Sequence, residues 1–415
     1  MGERGYPSLS ARDLDVGFPS ETIKEGRVRV LVPKLAAYVK HFSDYAPSKA
    51  PVFYNPVMEI NRDLSVLALQ AYQRTVDREL VVCEPLSSSG IRGVRFAAEV
   101  KGVKNVLVND ISARAVKLAR HNVELNSLND RVEVENKDAN CLLSCHGAPK
   151  KRFDVIDLDP FGSPVPYIDS AIRALRNDGL LAVTATDLAP LCGVHPKACI
   201  RKYGGKPLRT EYCHELAIRL LLGCVASSAA RHEIGIRVLF SHSTDHYVRA
   251  YVQIHYGAKK ADESIKNLGY IFHCFNCLHR ETAKSLTDRK TEKCPECGSI
   301  LDYSGPLWLD KILDRQFCSL VSSENSRRAL RNSVKIAHLL ELASNEADAP
   351  PTYHVLDKLS GKMSLPVPSI SAMINALREG GFATVPTHFN SRGLKTEAPA
   401  LKVQEKLKNL AITAS

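Results

Sequence analysis

Glu79-Leu80-Val81-Val82-Cys83-Glu84-Pro85-Leu86-Ser87-Ser88-Ser89-Gly90-Ile91-Arg92-Gly93 reads as a short apolar strand, a loop of small residues and the start of a helix. That order is the opening unit of a parallel sheet with helices on both faces. The pattern recurs downstream. Apolar runs at Glu79 to Glu84, Asn105 to Asn109, Val132 to Glu135, Phe153 to Leu158 and Gly179 to Thr184 each end in turn residues. Helical patterns separate them, as in Ala113 to Asn126, where Ala115, Leu118, Ala119, Val123 and Leu125 form an apolar face. Ile234 to Ser241 and Tyr247 to His255 have hairpin spacing and are expected to close the sheet with antiparallel strands. Upstream, Thr22 to Lys34 alternates Val28, Val30 and Val32 with charged neighbours, the pattern of one half-buried strand, and Phe53 to Gln70 leads into the sheet. The expected fold is α/β, a doubly wound, Rossmann-like domain.

At 415 residues the chain exceeds one ordinary core. The polar stretch Gly257 to Gly269 is read as the boundary, giving residues 1–258 and a smaller α+β domain at 259–415. A formal charge of +11 favours a polyanionic partner. Twelve cysteines in a chain this long read as reduced thiols, not as a disulfide framework. No stretch reads as a transmembrane span, and the most apolar one, Leu216 to Ala230, contains Arg219 and reads as a buried helix. Met1 to Tyr6 shows no apolar signal core, and Tyr6 stands where a myristoylation motif needs Ser or Thr. The expectation is a cytoplasmic protein with no membrane association and no obligate protein partner.

In such a sheet, ligands bind beyond the carboxyl ends of the strands. The first loop lacks the G-x-G-x-x-G fingerprint, which disfavours a dinucleotide. Small residues around Gly90 instead suit close backbone approach to the methionine part of S-adenosylmethionine. Asp110 ends the second strand, where a carboxylate can accept both ribose hydroxyls. Asp138 ends the third, with a carboxylate for the adenine amine, and Ala139 offers its N–H to the ring. Any one aspartate is more often a helix cap or a turn residue. Three strand ends in order are harder to explain that way.

The fourth strand runs into Asp157-Leu158-Asp159-Pro160-Phe161-Gly162-Ser163-Pro164. An exocyclic amine is a poor nucleophile because its lone pair is delocalised into the ring. A carboxylate that accepts an amine N–H localises that pair and can take the proton, which assigns Asp159 as general base. Pro160 would turn its carbonyl to the second amine hydrogen, and Phe161 would stack on a base held out of its helix. Alone, Asp-Pro-Phe-Gly is a β-turn sequence. After the fourth strand of this sheet, it stands where a related Asp-Pro-Pro-Tyr turn marks amine methyltransferases. Asp157, inside the strand, receives no role.

Cys274-Phe275-Asn276-Cys277 and Cys294-Pro295-Glu296-Cys297 are two C-x-x-C knuckles sixteen residues apart, the spacing of a closed tetrahedral zinc site. Four thiolates leave no open position, so this zinc would be structural. Cys192, His195 and Cys199 also have ligand-like spacing but lack a matching second pair. Cys141 and Cys145 are read as packed thiols. Arg327, Arg331 and Lys335 would form a basic stripe on one helix, with Leu330, Val334 and Ala337 on its buried side. His354 to Gly380 offers two short helices and Phe382 to Lys395 a β-wing carrying Arg392 and Lys395, a winged-helix-like RNA-binding element.

Glu25-Gly26, Val30 to Lys34, Phe53-Tyr54-Asn55-Pro56, Asn61-Arg62-Asp63, Ser89 to Gly93 and Asp159 to Pro164 resemble the archaeal tRNA guanine-26 N2-dimethyltransferases, the Trm-one family. Ala189 to Gly193, Lys202-Tyr203-Gly204, Arg209 to Glu215 and Ser391 to Thr396 extend the resemblance over nearly the whole chain. It implies tRNA as partner and S-adenosylmethionine contacts from Arg62, Arg92, Asp110, Asp138 and Ala139, with Phe53 near the methionine end. Arg62 and Arg92 come from the resemblance alone, and a guanidinium is a two-pronged donor for the cofactor carboxylate. On the residues alone, two other readings stay open. One is a nucleic-acid adenine-N6 methyltransferase, whose usual turn has a second proline and an aromatic where this chain has Phe161-Gly162. The other is a non-catalytic RNA-binding protein, against which the intact set Asp110, Asp138 and Asp159 stands.

Overall fold

Only glycine fits at position 26, where φ is +56° and a Cβ would lie 2.3 Å from Glu99 Oε1. The expected single strand from Thr22 to Lys34 therefore folds into a hairpin of β1 (Ser20–Glu25) and β2 (Val28–Pro33). The structure, a computed structural model, describes residues 16–39 and 46–413, so the Met1 to Tyr6 reading lies outside it.

The main sheet contains β3 (Leu80–Glu84), β4 (Val103–Asn109), β5 (Val132–Glu135), β6 (Phe153–Leu158), β7 (Leu175–Ala185), β8 (Ile234–Thr244) and β9 (Tyr247–Tyr256). Their order is β5-β4-β3-β6-β7-β9-β8. The first five are parallel, and the β8–β9 hairpin closes the edge antiparallel to β7, as its spacing predicts. Chain crossovers run outward in opposite directions from β3 and β6, which lie side by side. The loops that follow these two strands consequently face each other across one crevice.

Helices Glu59–Val76, Ile91–Glu99 and Cys213–Ala230 bury long apolar runs in this core. Cys213–Ala230 is the one helix among the described residues long and apolar enough to cross a membrane. Its residues Leu216 to Leu222 are buried inside the protein. The polar stretch after β9 is not an open linker. Ala258–Ile265 is a helix whose Ala261 and Ser264 are buried, and Ser264 Oγ accepts the Ile236 N–H at 2.8 Å.

Beyond it, β10 (Leu268–His273), β11 (Arg280–Ala283) and β12 (Asp302–Trp308) form an antiparallel sheet carrying the cysteine knuckles. Next come helices Arg315–Ser326 and Ser333–Glu346. A winged arrangement follows: helices Leu356–Met363 and Ile370–Glu379 beside β13 (His354–Val355), β14 (Thr384–Thr387) and β15 (Asn390–Thr396). Leu356, Leu359, Met373, Leu377, Leu394, Val403 and Leu407 give this part its own apolar cluster.

Two readings need correction. The basic stripe is broken, because the chain leaves one helix at Ser326 and enters the next at Ser333, and Asn332 donates to Asp63 at 3.0 Å. Leu330 is buried, but Val334 is 82% exposed. Lys395 does not sit on an open wing: it is 2% exposed and pairs with Glu215 and Glu346.

Candidate active site

The loop after β3 forms one wall of the crevice. Gly90 takes φ +71°, and a Cβ there would stand 2.9 Å from Ala119 Cβ, so the tight turn into helix Ile91–Glu99 requires glycine. Ser88 N–H and Ser112 N–H donate to the two oxygens of Asp110 at 2.8 and 2.9 Å. These bonds fix the carboxylate at the end of β4 and leave a lone pair on each oxygen. Beside it Ile111 is 70% exposed, an apolar surface suited to a flat ring. Asp138 is exposed and accepts the Cys141 N–H at 3.0 Å, capping helix Ala139–Cys145, while Ala139 is buried. The carboxylates and the apolar ledge fit a nucleoside.

The opposite wall is the turn after β6. Pro160 is buried, and Phe161 is 73% exposed, its ring edge-on to Phe53 at 4.5 Å. Ser88 Oγ donates to the Phe53 carbonyl at 2.7 Å, so the segment before helix Glu59–Val76 bridges the two walls. Gly162 and Thr186 exchange hydrogen bonds at 2.8 and 2.9 Å, tying the turn to the end of β7. Ser163 Oγ donates to Tyr203 OH at 2.9 Å, and Tyr203 OH donates to Asp187 at 2.5 Å. Lys202 pairs with the other Asp187 oxygen at 2.9 Å.

Beneath the turn lies a buried charge cluster. Arg92 donates to Asn61 Oδ1 at 2.8 Å and Ser65 Oγ at 2.5 Å, and its far nitrogen pairs with Asp159. Arg92 Nε lies 3.7 Å from Glu84 and 3.8 Å from Asp157. From β9, the fully buried Arg249 pairs with Asp157 at 2.5 Å and donates to Thr184 and Tyr251. Burial pushes the Glu84 carboxyl up to about 8, and nearby Asp157 and Asp159 add to the shift against Arg92 and the Gly93 N–H. Near neutral pH Glu84 therefore keeps its proton, and two aspartates face two arginines.

The sequence matches the family described as TRM, N2,N2-dimethylguanosine tRNA methyltransferase, over residues 26–408. The chain belongs to this family. It is similar to the tRNA (guanine(26)-N(2))-dimethyltransferase of Methanobrevibacter smithii, 44% identical over 391 residues, covering 94% of this chain and 98% of that one. The tRNA (guanine(26)-N(2)/guanine(27)-N(2))-dimethyltransferase of Aquifex aeolicus is 37% identical over 394 residues, 94% of this chain and 96% of the relative. Among solved structures, Trm1 from Pyrococcus horikoshii in complex with S-adenosyl-L-methionine superimposes with a TM-score of 0.81. It is 34% identical and covers 93% of this chain and 99% of that one.

Arg62, to which the family resemblance also points, is buried. Its Nε and Nη2 grip Glu25 at 2.6 Å each, and both Nη atoms reach the Asn55 carbonyl at 3.3 Å. One Nη1 hydrogen is left over. Sequence reasoning missed Glu84, Asn61, Ser65, Asp157 and Arg249. Asn61 lies in a segment quoted for the resemblance, and the others carry no local signal.

The four cysteines are carried by the β10–β12 sheet. Cys274 and Cys297 Sγ are 3.4 Å apart, Cys277 and Cys294 Sγ 3.5 Å, and all four lie within 4.8 Å of one another. Three of them are buried, and the group fits a structural zinc. Cys192 gathers with Cys213 and His214, not with the His195 and Cys199 of its own segment, and three donors fall short of a closed site. Cys141 and Cys145, read as packed thiols, are exposed.

Proposed function

We propose that the chain transfers methyl groups from S-adenosylmethionine to the exocyclic N2 amine of guanine-26 in tRNA, acting in the cytoplasm, where tRNA is found. The observation that carries this reading is the Asp159-Pro160-Phe161-Gly162 turn facing the Asp110 loop across the β3/β6 crevice. Asp110 takes the ribose hydroxyls, Asp138 the adenine amine and the Ala139 N–H the ring, while Gly90 lets the backbone approach the methionine part. Arg92 and the remaining donor of Arg62 serve the cofactor carboxylate. When bound, the cofactor supplies a methyl group on a positively charged sulfur.

Phe161, exposed and braced by Phe53, stacks on the extruded guanine. Asp159 accepts one N2 hydrogen and the Pro160 carbonyl the other, which aims the nitrogen lone pair at the methyl carbon. With the cofactor bound, the N–C bond would form as the C–S bond breaks, and the N2 proton would pass to Asp159. Arg92 holds that carboxylate in place from below. Cys274, Cys277, Cys294 and Cys297 would hold zinc to fasten a small sheet whose own core is slight. Residues 259–415 serve to hold the body of the tRNA.

Nucleoside mass spectrometry after reaction with a tRNA transcript tests this directly. N2-methylguanosine and N2,N2-dimethylguanosine are expected, and a transcript with adenine at position 26 should lose them. Methyl groups on adenine, on DNA or on no nucleic acid would sink the reading.

A further inference from the structure

The 16 residues from Val194 to Arg209 contain five basic side chains and no acidic one. At their centre is helix Pro196–Tyr203, eight residues long. Its inner face buries Cys199 and Tyr203, and its outer face exposes Lys197, Ile200 and Arg201 at helical spacing. Lys202 is spent on Asp187 and Lys206 on Asp302. Lys197, Arg201 and the exposed Arg209 make no ion pair or hydrogen bond to an acidic side chain among the described residues.

Four cations of the C-terminal part differ: Arg327 pairs with Glu324, Arg331 lies 3.6 Å from Glu59, Arg315 pairs with Asp348, and Arg392 lies 3.3 Å from Asp357. Lys197 and Arg201 lie on the helix whose Tyr203 hydroxyl is bonded to Ser163 of the acceptor turn, which places their charge beside the site. Val194, at the head of this helix, is 50% exposed, and Ile200 is 49% exposed.

From these observations we infer that helix Pro196–Tyr203, with Arg209, is the surface that grips the tRNA backbone beside the target nucleotide. The inference rests on the function proposed above. Lys197 and Arg201 stand about 6 Å apart along the helix axis, a spacing that lets each meet its own phosphate on one strand. The exposed apolar groups at positions 194 and 200 offer contact to sugar or base faces between them. Tyr203 links the grip to the chemistry: the helix that holds the backbone also holds Ser163, four residues beyond Asp159. In the 327–335 segment, by contrast, Arg327 and Arg331 have carboxylates beside them.

The test uses the full-length protein and unmodified tRNA transcript, with binding measured over a range of salt. Lys197→Ala/Arg201→Ala should lower the slope of log affinity against log salt by about 1.5 to 2, the loss of two phosphate contacts. Lys197→Glu/Arg201→Glu should weaken tRNA binding at least tenfold. Both variants should bind S-adenosylmethionine like the wild type, which shows that they are folded. Wild-type tRNA affinity and salt slope in either variant would overturn the inference. If the wild-type chain itself binds and methylates no tRNA, it is the proposed function that has failed, and this surface falls with it.

Discussion

Beneath the acceptor turn, Arg92, Asp157, Asp159 and Arg249 form a charge cluster that opens to the surface at Asp159, whose side chain is 18% exposed. Where helix Cys213–Ala230 meets β15, Glu215, Arg219, Glu346, His388 and Lys395 form another that is closed, each side chain at most 3% exposed. In the closed cluster every carboxylate is held from several sides. Glu215 takes the Thr352 N–H at 3.0 Å, Arg219 at 2.8 Å and Lys395 at 2.9 Å, and Glu346 takes Thr387, His388 and Lys395. Burial alone would raise the Glu215 pKa, but Lys395 and Arg219 bring it to about 2. In the open cluster a third acid, Glu84, stays protonated, and the outermost carboxylate has a free side. In the closed cluster the paired charges join elements together, whereas in the open one Asp159 keeps a side free, as the proposed role requires.

The largest effect that would test this contrast is on stability. Lys395→Ala leaves two buried carboxylates without their shared cation and should destabilise the protein by about 3 to 5 kcal/mol. Denaturant unfolding would show it, and a variant as stable as the wild type would show that the closed cluster joins nothing. Asp159→Asn should do the opposite, keeping the melting temperature and the affinity for S-adenosylmethionine. Single-turnover transfer should fall by roughly a hundredfold, about 2.7 kcal/mol. Near wild-type transfer would move the base elsewhere, Asp187 being next in reach of the turn. A third effect, spread over pH, concerns Glu84. Its folded pKa lies above the ordinary 4.5, so the unfolded chain releases this proton first as pH rises. Stability should therefore fall between about pH 4.5 and 8, by at most about 1.4 kcal/mol per pH unit. Glu84→Gln removes that slope, and parallel stability curves for the two proteins from pH 5 to 9 would refute the assignment.

The parallel strands, the closing hairpin and the three aspartates at strand ends were legible because each rests on local periodicity and on its place after a strand. The clusters were not. Asp157 meets Arg249 across 92 positions and Arg92 meets Asp159 across 67, and neither partner changes the local pattern of the other. Lys395 reads as a wing cation until Glu215 and Glu346 arrive from two helices. The break near Asn332 is likewise fixed by a partner 269 positions away. Gly26 was quoted only for the resemblance, although a glycine amid alternating residues is itself a sign of a turn.

The protonated Glu84 changes what Arg92 is set against. Glu84 lies 3.7 Å from Arg92 yet burial holds its carboxyl near 8, so near neutral pH it stands beside the guanidinium as a neutral acid. Above that pH the same position would hold a further anion, so the inner side of the cluster answers to pH while its outer side, at Asp159, opens to the surface.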